Sequence, residues 1–227
     1  MQKKNELYRD NVIDLTAILW RLKKHKQFWG RNGAIRFSRF ITRFVKKLDE
    51  AKALHIRVEV YLDASLRARE EEKRILGWWD AWRAKQYAER LQDYCGLLNM
   101  TPEHLETCVS VYRNMGRKRR ALGFVREALD RKSVMHSQGI KFLIDGAEIL
   151  DSLDRSVDAE DFYMQAFGMG PEGYLDKMRL FRSYGAYQLR RGDKDGARVS
   201  LEKALRTARE NNADTWEKDI QALLAQI

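Results

Sequence analysis

The chain has 227 residues, 44% of them hydrophobic and 33% charged, a balance that excludes a disordered polypeptide and suffices for a core without disulfide or metal staples. No run of about eighteen uncharged apolar residues occurs, so no membrane-spanning helix is expected, and the start, MQKKNELYRDNV, lacks the apolar centre of a signal peptide. The formal charge is +10 and unevenly placed: residues 1–60 hold 15 Lys/Arg against 6 Asp/Glu, whereas residues 61–227 hold 28 against 27.

Only two prolines, Pro102 and Pro171, interrupt runs rich in Ala, Leu, Arg, Lys and Glu, which predicts an all-α chain. The two cysteines, Cys95 and Cys108, do not make a disulfide framework, so the cytoplasm or another reducing intracellular compartment is expected.

A first helix is expected over about 5–26, where Val12, Leu15, Ile18, Leu19 and Leu22 share a face, ending at Gly30-Arg31-Asn32-Gly33. Helices over 34–53 and 54–73 come next, or one long helix, because no Gly or Pro separates them. The alternation in His55–Val60 also fits a strand, but the flanks are helix formers and no partner strand is available. Arg36, Arg39, Arg43, Lys46 and Lys47 fall within an arc of roughly 100° beside the apolar stripe Phe37, Ile41, Phe44 and Leu48. Two readings compete for this face: docking of an anionic partner (nucleic acid, acidic protein or lipid surface), or plain solvation.

The next helix, over about 75–97, carries Trp78, Trp79 and Trp82. These could stack on bases, but aromatic residues at helical spacing are expected to build core, here between the N-terminal helices and the repeats beyond residue 100. Thr101-Pro102 then reads as an N-cap with proline in the first turn.

From there a period appears. Ala121, Ala159 and Ala197 stand 38 apart, each succeeded seven residues later by Ala128, Ala166 and Ala204. Small residues at fixed spacing let paired helices approach closely. Each block reads as a helix, a tight turn and a second helix, the clearest turn being Arg191-Gly192-Asp193. Asp214 or Thr215 is placed to cap a last helix over 216–225, closing the stack.

Leu143, Gly146-Ala147, Leu150, Ala159, Tyr163 and Pro171, and again Phe181, Tyr184-Gly185, Ala197 and Leu201, resemble the tetratricopeptide repeat (TPR). In the first block Leu105, Tyr112, Gly116, Ala121 and Val125 match. The resemblance covers about residues 101–211; its period of 38 exceeds the family's usual length of about 34 by roughly one helical turn. It implies an α-solenoid of antiparallel helix pairs that binds a peptide segment or partner helix along its first helices. The groove residues it implies are Glu103, Glu106, Ser110, Arg113, Asn114, Lys141, Ile144, Glu148, Arg179, Arg182 and Arg190, with a cationic wall in the third unit. Glu106, Ser110 and Asp145 depart from the subset that grips chaperone tails, so that role is not expected.

The resulting layout is a basic helical region over 1–74, a linking helix or degenerate repeat over 75–100, three helix pairs over 101–211 and a capping helix over 212–227. Arg117-Lys118-Arg119-Arg120 reads as an exposed basic turn, Asp151 and Asp154 as exposed turn acids, and His104 with Cys108 as a core pair lacking enough partners for zinc. No Gly-rich phosphate loop, nucleophile elbow or metal-binding His-Glu helix is present, so neither catalysis nor a cofactor is expected. The expected role is a protein-interaction scaffold within a larger assembly, with an acidic protein partner and self-association left open. The alternative is an RNA- or other nucleic-acid-binding protein using the basic N-terminal face; an N-terminal DNA-reading helix-turn-helix fits less well.

Overall fold

A computed structural model describes residues 50–70, 74–96, 99–131 and 134–227. The regular elements among these residues are helices, with no strand, so the described residues are all-α as expected. It divides into two compact units, Met1–Tyr94 and Cys95–Ile227. The expected helix over 5–26 and the part before residue 50 of the one expected over 34–53, and with them the face of Arg36, Arg39, Arg43, Lys46 and Lys47, lie outside the described residues.

In the first unit α1 spans Glu50–Glu70 and α2 spans Arg74–Cys95. Helix α1 runs unbroken through positions 53 and 54, so no boundary falls there. His55–Val60 is helical too, and its alternation is resolved by heptad spacing: Leu54, Val58, Tyr61, Ser65 and Ala68 form one buried line. The matching line on α2 is Ala81, Ala84, Ala88 and Leu91, preceded by buried Gly77. Small side chains allow a close approach, and Ser65 Oγ donates a buried hydrogen bond to the Gly77 carbonyl at 2.7 Å. The Tyr61 and Tyr87 rings stack at 5.6 Å.

The second unit holds α3 (Pro102–Asn114), α4 (Lys118–Leu129), α5 (His136–Asp151), α6 (Ser156–Met169), α7 (Tyr174–Arg190), α8 (Lys194–Glu210) and α9 (Asp214–Leu224). Packing joins α3 to α4, α5 to α6 and α7 to α8 as pairs; α4 also packs on α5, α5 touches both α3 and α7, and α9 closes on α8. All six alanines of the 38-residue period are fully buried. Glycines on the first helices of the second and third pairs sit at close contacts with the helix that carries the alanines. A Cβ on Gly146 would sit 2.6 Å from the Phe162 ring, and one on Gly185 would sit 2.7 Å from Leu201 Cγ.

The helix ends arise from local chemistry. Thr101 caps α3: its hydroxyl accepts from the His104 N–H at 3.4 Å while His104 Nδ1 accepts from the Thr101 N–H at 3.3 Å, with Pro102 in the first turn. His104 thus closes a capping box, and Cys108 is buried core. Between α7 and α8, Gly192 takes φ +83° and Asp193 accepts from the Gly196 N–H at 2.9 Å. At the last helix the expected caps move by a residue or more: Ala213 is the N-cap, and Asp214 and Thr215 already lie inside α9.

Helix α5 is buried nearly all round, through Ile140, Phe142, Leu143, Ile144, Gly146, Ala147, Ile149 and Leu150, because α3, α4, α6 and α7 all pack on it. A smaller core of Met178, Leu201, Ala204, Ala208 and Ile220 lies under α9, flanked by Trp216 and Leu224.

Candidate functional site

Helices α3, α5 and α7, the first members of the three pairs, form a row, and most groove residues named from the sequence stand along it. Arg113, near the end of α3, donates to Asp145 at 2.5 Å and to Glu148 at 2.7 Å, both on α5. Glu148 in turn accepts from Ser183 Oγ of α7 at 2.6 Å, and Ser183 Oγ shares a 3.0 Å hydrogen bond with Tyr163 OH from α6. One guanidinium, two carboxylates and two hydroxyls therefore tie all three helix pairs together, in a setting where each polar group answers another.

This arrangement shifts the protonation of its members. Burial raises Asp145 above the ordinary carboxylate range, as does the neighbouring Glu148 charge, while Arg113 pulls the other way. Burial works against the charged form of Arg113, but Glu148 and Asp145 outweigh it and hold the guanidinium more firmly protonated than usual. Desolvation also raises Tyr163, so its hydroxyl is a stable donor.

Further pairs flank the network. Lys141 binds Glu106, Gln138 donates to Glu103 at 2.9 Å, Arg190 reaches Asp151 at 2.8 Å, and Arg182 reaches Asp219 of α9 at 3.1 Å. Four of these links, Glu103 to Gln138, Glu106 to Lys141, Arg113 to Glu148 and Glu148 to Ser183, join residues 35 apart. That is three fewer than the alanine period, so each side chain meets the position one helical turn before its own equivalent.

Several expectations change here. Ile144 is a core residue, 2% exposed, because the helices on either side of α5 enclose it; it lines no groove. The cationic wall of the third unit is mostly neutralised: Arg182 and Arg190 each have a carboxylate partner, and among the described residues only Arg179 of the three forms no ion pair. Arg179 still acts on the row, since its charge opposes the rise of Asp145. Asn114 and Ser110 are half-buried on α3. Asp151, read as an exposed turn acid, is only 12% exposed because Arg190 covers it; Asp154 is exposed as expected.

Between α5 and α7 the surface opens into a depression of about 580 Å³ lined by Glu148, Asp151, Asp154, Arg182, Ala186 and Arg190, with Ser152, Ser183 and Arg191. Sequence reasoning named Glu148, Arg182 and Arg190 for the groove. It did not place Asp151, Ser152, Asp154, Ser183, Ala186 or Arg191 there; of these, the 35-residue offset leads from Glu148 to Ser183 and from Asp151 to Ala186.

The basic turn of the first pair is partly structural. Lys118 Nζ donates to the Ser152 carbonyl at 2.7 Å and Arg120 lies 4.6 Å over the Tyr112 ring, while Arg117 and Arg119 are exposed. The tryptophans of α2 overturn the expectation of core. Trp78 is 59% exposed and Trp79 44%, because the buried line of α2 is taken by alanines and the indoles fall on its other face.

No group of His, Cys, Asp and Glu suited to a metal ion occurs among the described residues, and no helix among them is long and apolar enough to cross a membrane. A comparison with protein-family models returns no match, and neither does a search of curated proteins.

Proposed function

We infer that the chain is a non-enzymatic interaction scaffold, an α-solenoid of TPR-like helix pairs that docks a segment of a protein partner along α3, α5 and α7. The observation that carries this reading is the open depression between α5 and α7, flanked by Arg182, whose partner Asp219 is exposed, and by Arg190, whose own side chain is largely exposed. Arg190 is 53% exposed, and the partner of Arg182, Asp219, lies on the surface of the end helix. An acidic segment can take over from Asp219 on Arg182 at little cost, since an exposed ion pair contributes only about 0–1 kcal/mol, and can approach the exposed side of Arg190 while Asp151 keeps its contact. Charge then sets orientation and rate, and contacts with Ala186 and the helix backbones supply affinity.

Affinity purification of the full chain, at low and high salt and with and without nuclease, tests this reading when run beside Ala186→Arg, which fills the depression from a half-exposed position. The reading expects a protein partner that survives nuclease and is lost from the Ala186→Arg variant while its helicity is unchanged. A partner retained by that variant, or none at any salt, overturns it.

A further inference from the structure

The face of α2 opposite its alanine line carries a chemistry of its own, which the docking reading of α3, α5 and α7 does not use. Trp78 and Trp79 are the exposed indoles already described, and Trp82 one turn on is half-buried. Trp79 and Trp82 stack at 5.2 Å, with the Arg83 guanidinium 5.1 Å and 5.3 Å from their ring centres. Among the described residues Arg83 forms no ion pair. Positions 78, 79, 82, 83 and 86 carry no acid; Asp80 is buried, and Glu89 is held by Lys85 at 2.7 Å. Two exposed indoles on one turn are costly to leave in water, as burying either would gain free energy. The guanidinium makes the end of the face that holds the indoles positive; the acids on the same side, Glu89, which pairs with Lys85, and exposed Asp93, stand about two to three turns further along α2.

We propose that this Trp78–Trp79–Trp82–Arg83 face binds single-stranded nucleic acid, bases stacking on the exposed indoles and Arg83 taking a backbone phosphate. Charge complementarity selects this occupant. The sequence leading into α1 is strongly basic, 15 Lys/Arg against 6 Asp/Glu over residues 1–60, so the chain attracts a polyanion where it does not attract an acidic-poor apolar peptide. Flat aromatic faces with an adjacent guanidinium suit unpaired bases, whose stacking needs no sequence match; a duplex keeps its bases out of reach.

The test uses the full chain and fluorescein-labelled 15-mers of mixed sequence: single-stranded RNA, single-stranded DNA and a DNA duplex, titrated by anisotropy at two salt concentrations. Single strands are expected to bind more tightly than the duplex, with quenching of tryptophan emission. Trp78→Ala/Trp79→Ala, at exposed positions, should keep wild-type circular dichroism and weaken single-strand binding by about tenfold or more. Arg83→Gln should weaken binding less and lower the salt slope by about one phosphate contact. Equal affinity for duplex and single strand, or full binding by the double tryptophan variant, overturns the proposal. So does a double variant that loses a protein partner while its RNA affinity is unchanged, which would assign the face to protein docking. Because Ala186→Arg leaves α2 untouched, failure of the groove reading and failure of this one are separately visible.

Discussion

Replacing Arg113 by methionine keeps most of the unbranched apolar stem and removes the guanidinium, leaving Asp145 and Glu148 side by side with no guanidinium between them. Removing one partner of a buried pair costs about 3–5 kcal/mol. Here the Arg113 side chain is 36% exposed, so solvent screens part of the loss, and about 2–3 kcal/mol is expected. For a chain of this size that lowers Tm by roughly 4–12 °C. Urea and thermal unfolding monitored by circular dichroism measure it directly. Asp145→Asn removes the carboxylate that burial already disfavours, so combining it with Arg113→Met should recover about 1–2 kcal/mol. A loss below about 0.5 kcal/mol for Arg113→Met, the level of an ordinary surface substitution, or a double variant as weak as the single one, would refute the network's role in joining the three pairs.

The raised Asp145 titration has a definite sign: the folded chain binds that proton more tightly than the unfolded one, so its stabilising contribution is complete below the ordinary carboxylate pKa and is lost as pH rises through the folded value. Urea midpoints taken from about pH 4 upward should therefore fall less for Asp145→Asn than for the natural chain. Gly185→Ala places a methyl 2.7 Å from Leu201 Cγ and should cost about 1–3 kcal/mol, whereas Gly123→Ala, mid-helix with nothing within 4 Å, should stabilise by up to about 1 kcal/mol; thermal melts showing the same sign for both would contradict the close-approach argument. Glu106→Lys and Lys141→Glu should each destabilise and the double swap should restore most of the loss, measured as a coupling of about 0.5–1 kcal/mol in a mutant cycle. Tyr163→Phe should lose about 1 kcal/mol by deleting the hydroxyl that meets Ser183, and a neutral result by chemical denaturation would remove Tyr163 from the network.

Much of the second unit was legible in the residue order because its signals are local or periodic. Alanine at a fixed interval marks where backbones must nearly touch, whatever surrounds them, and all six such residues are buried. Thr101-Pro102 and Gly192-Asp193 mark helix ends through hydrogen bonds spanning a few residues, so no tertiary information is needed to place them. The caps of α9 slipped because Ala213, Asp214 and Thr215 offer competing starts within one turn.

Tertiary structure decided which charges are available and which apolar residues are hidden. Ile144 satisfies a groove position in the repeat pattern, yet the helices packed on either side of α5 enclose it. Arg182 and Arg190 read as free cations because their carboxylate partners lie 37 and 39 residues away, across helices whose lateral offset the alanine period does not state. Trp78 and Trp79 read as core because indoles usually are; the heptad of small residues on α2 took the buried line instead. Helical period assigns a residue to a face of its own helix, but whether that face meets water, a carboxylate or another helix depends on partners remote in sequence, and those are fixed only when the helices pack.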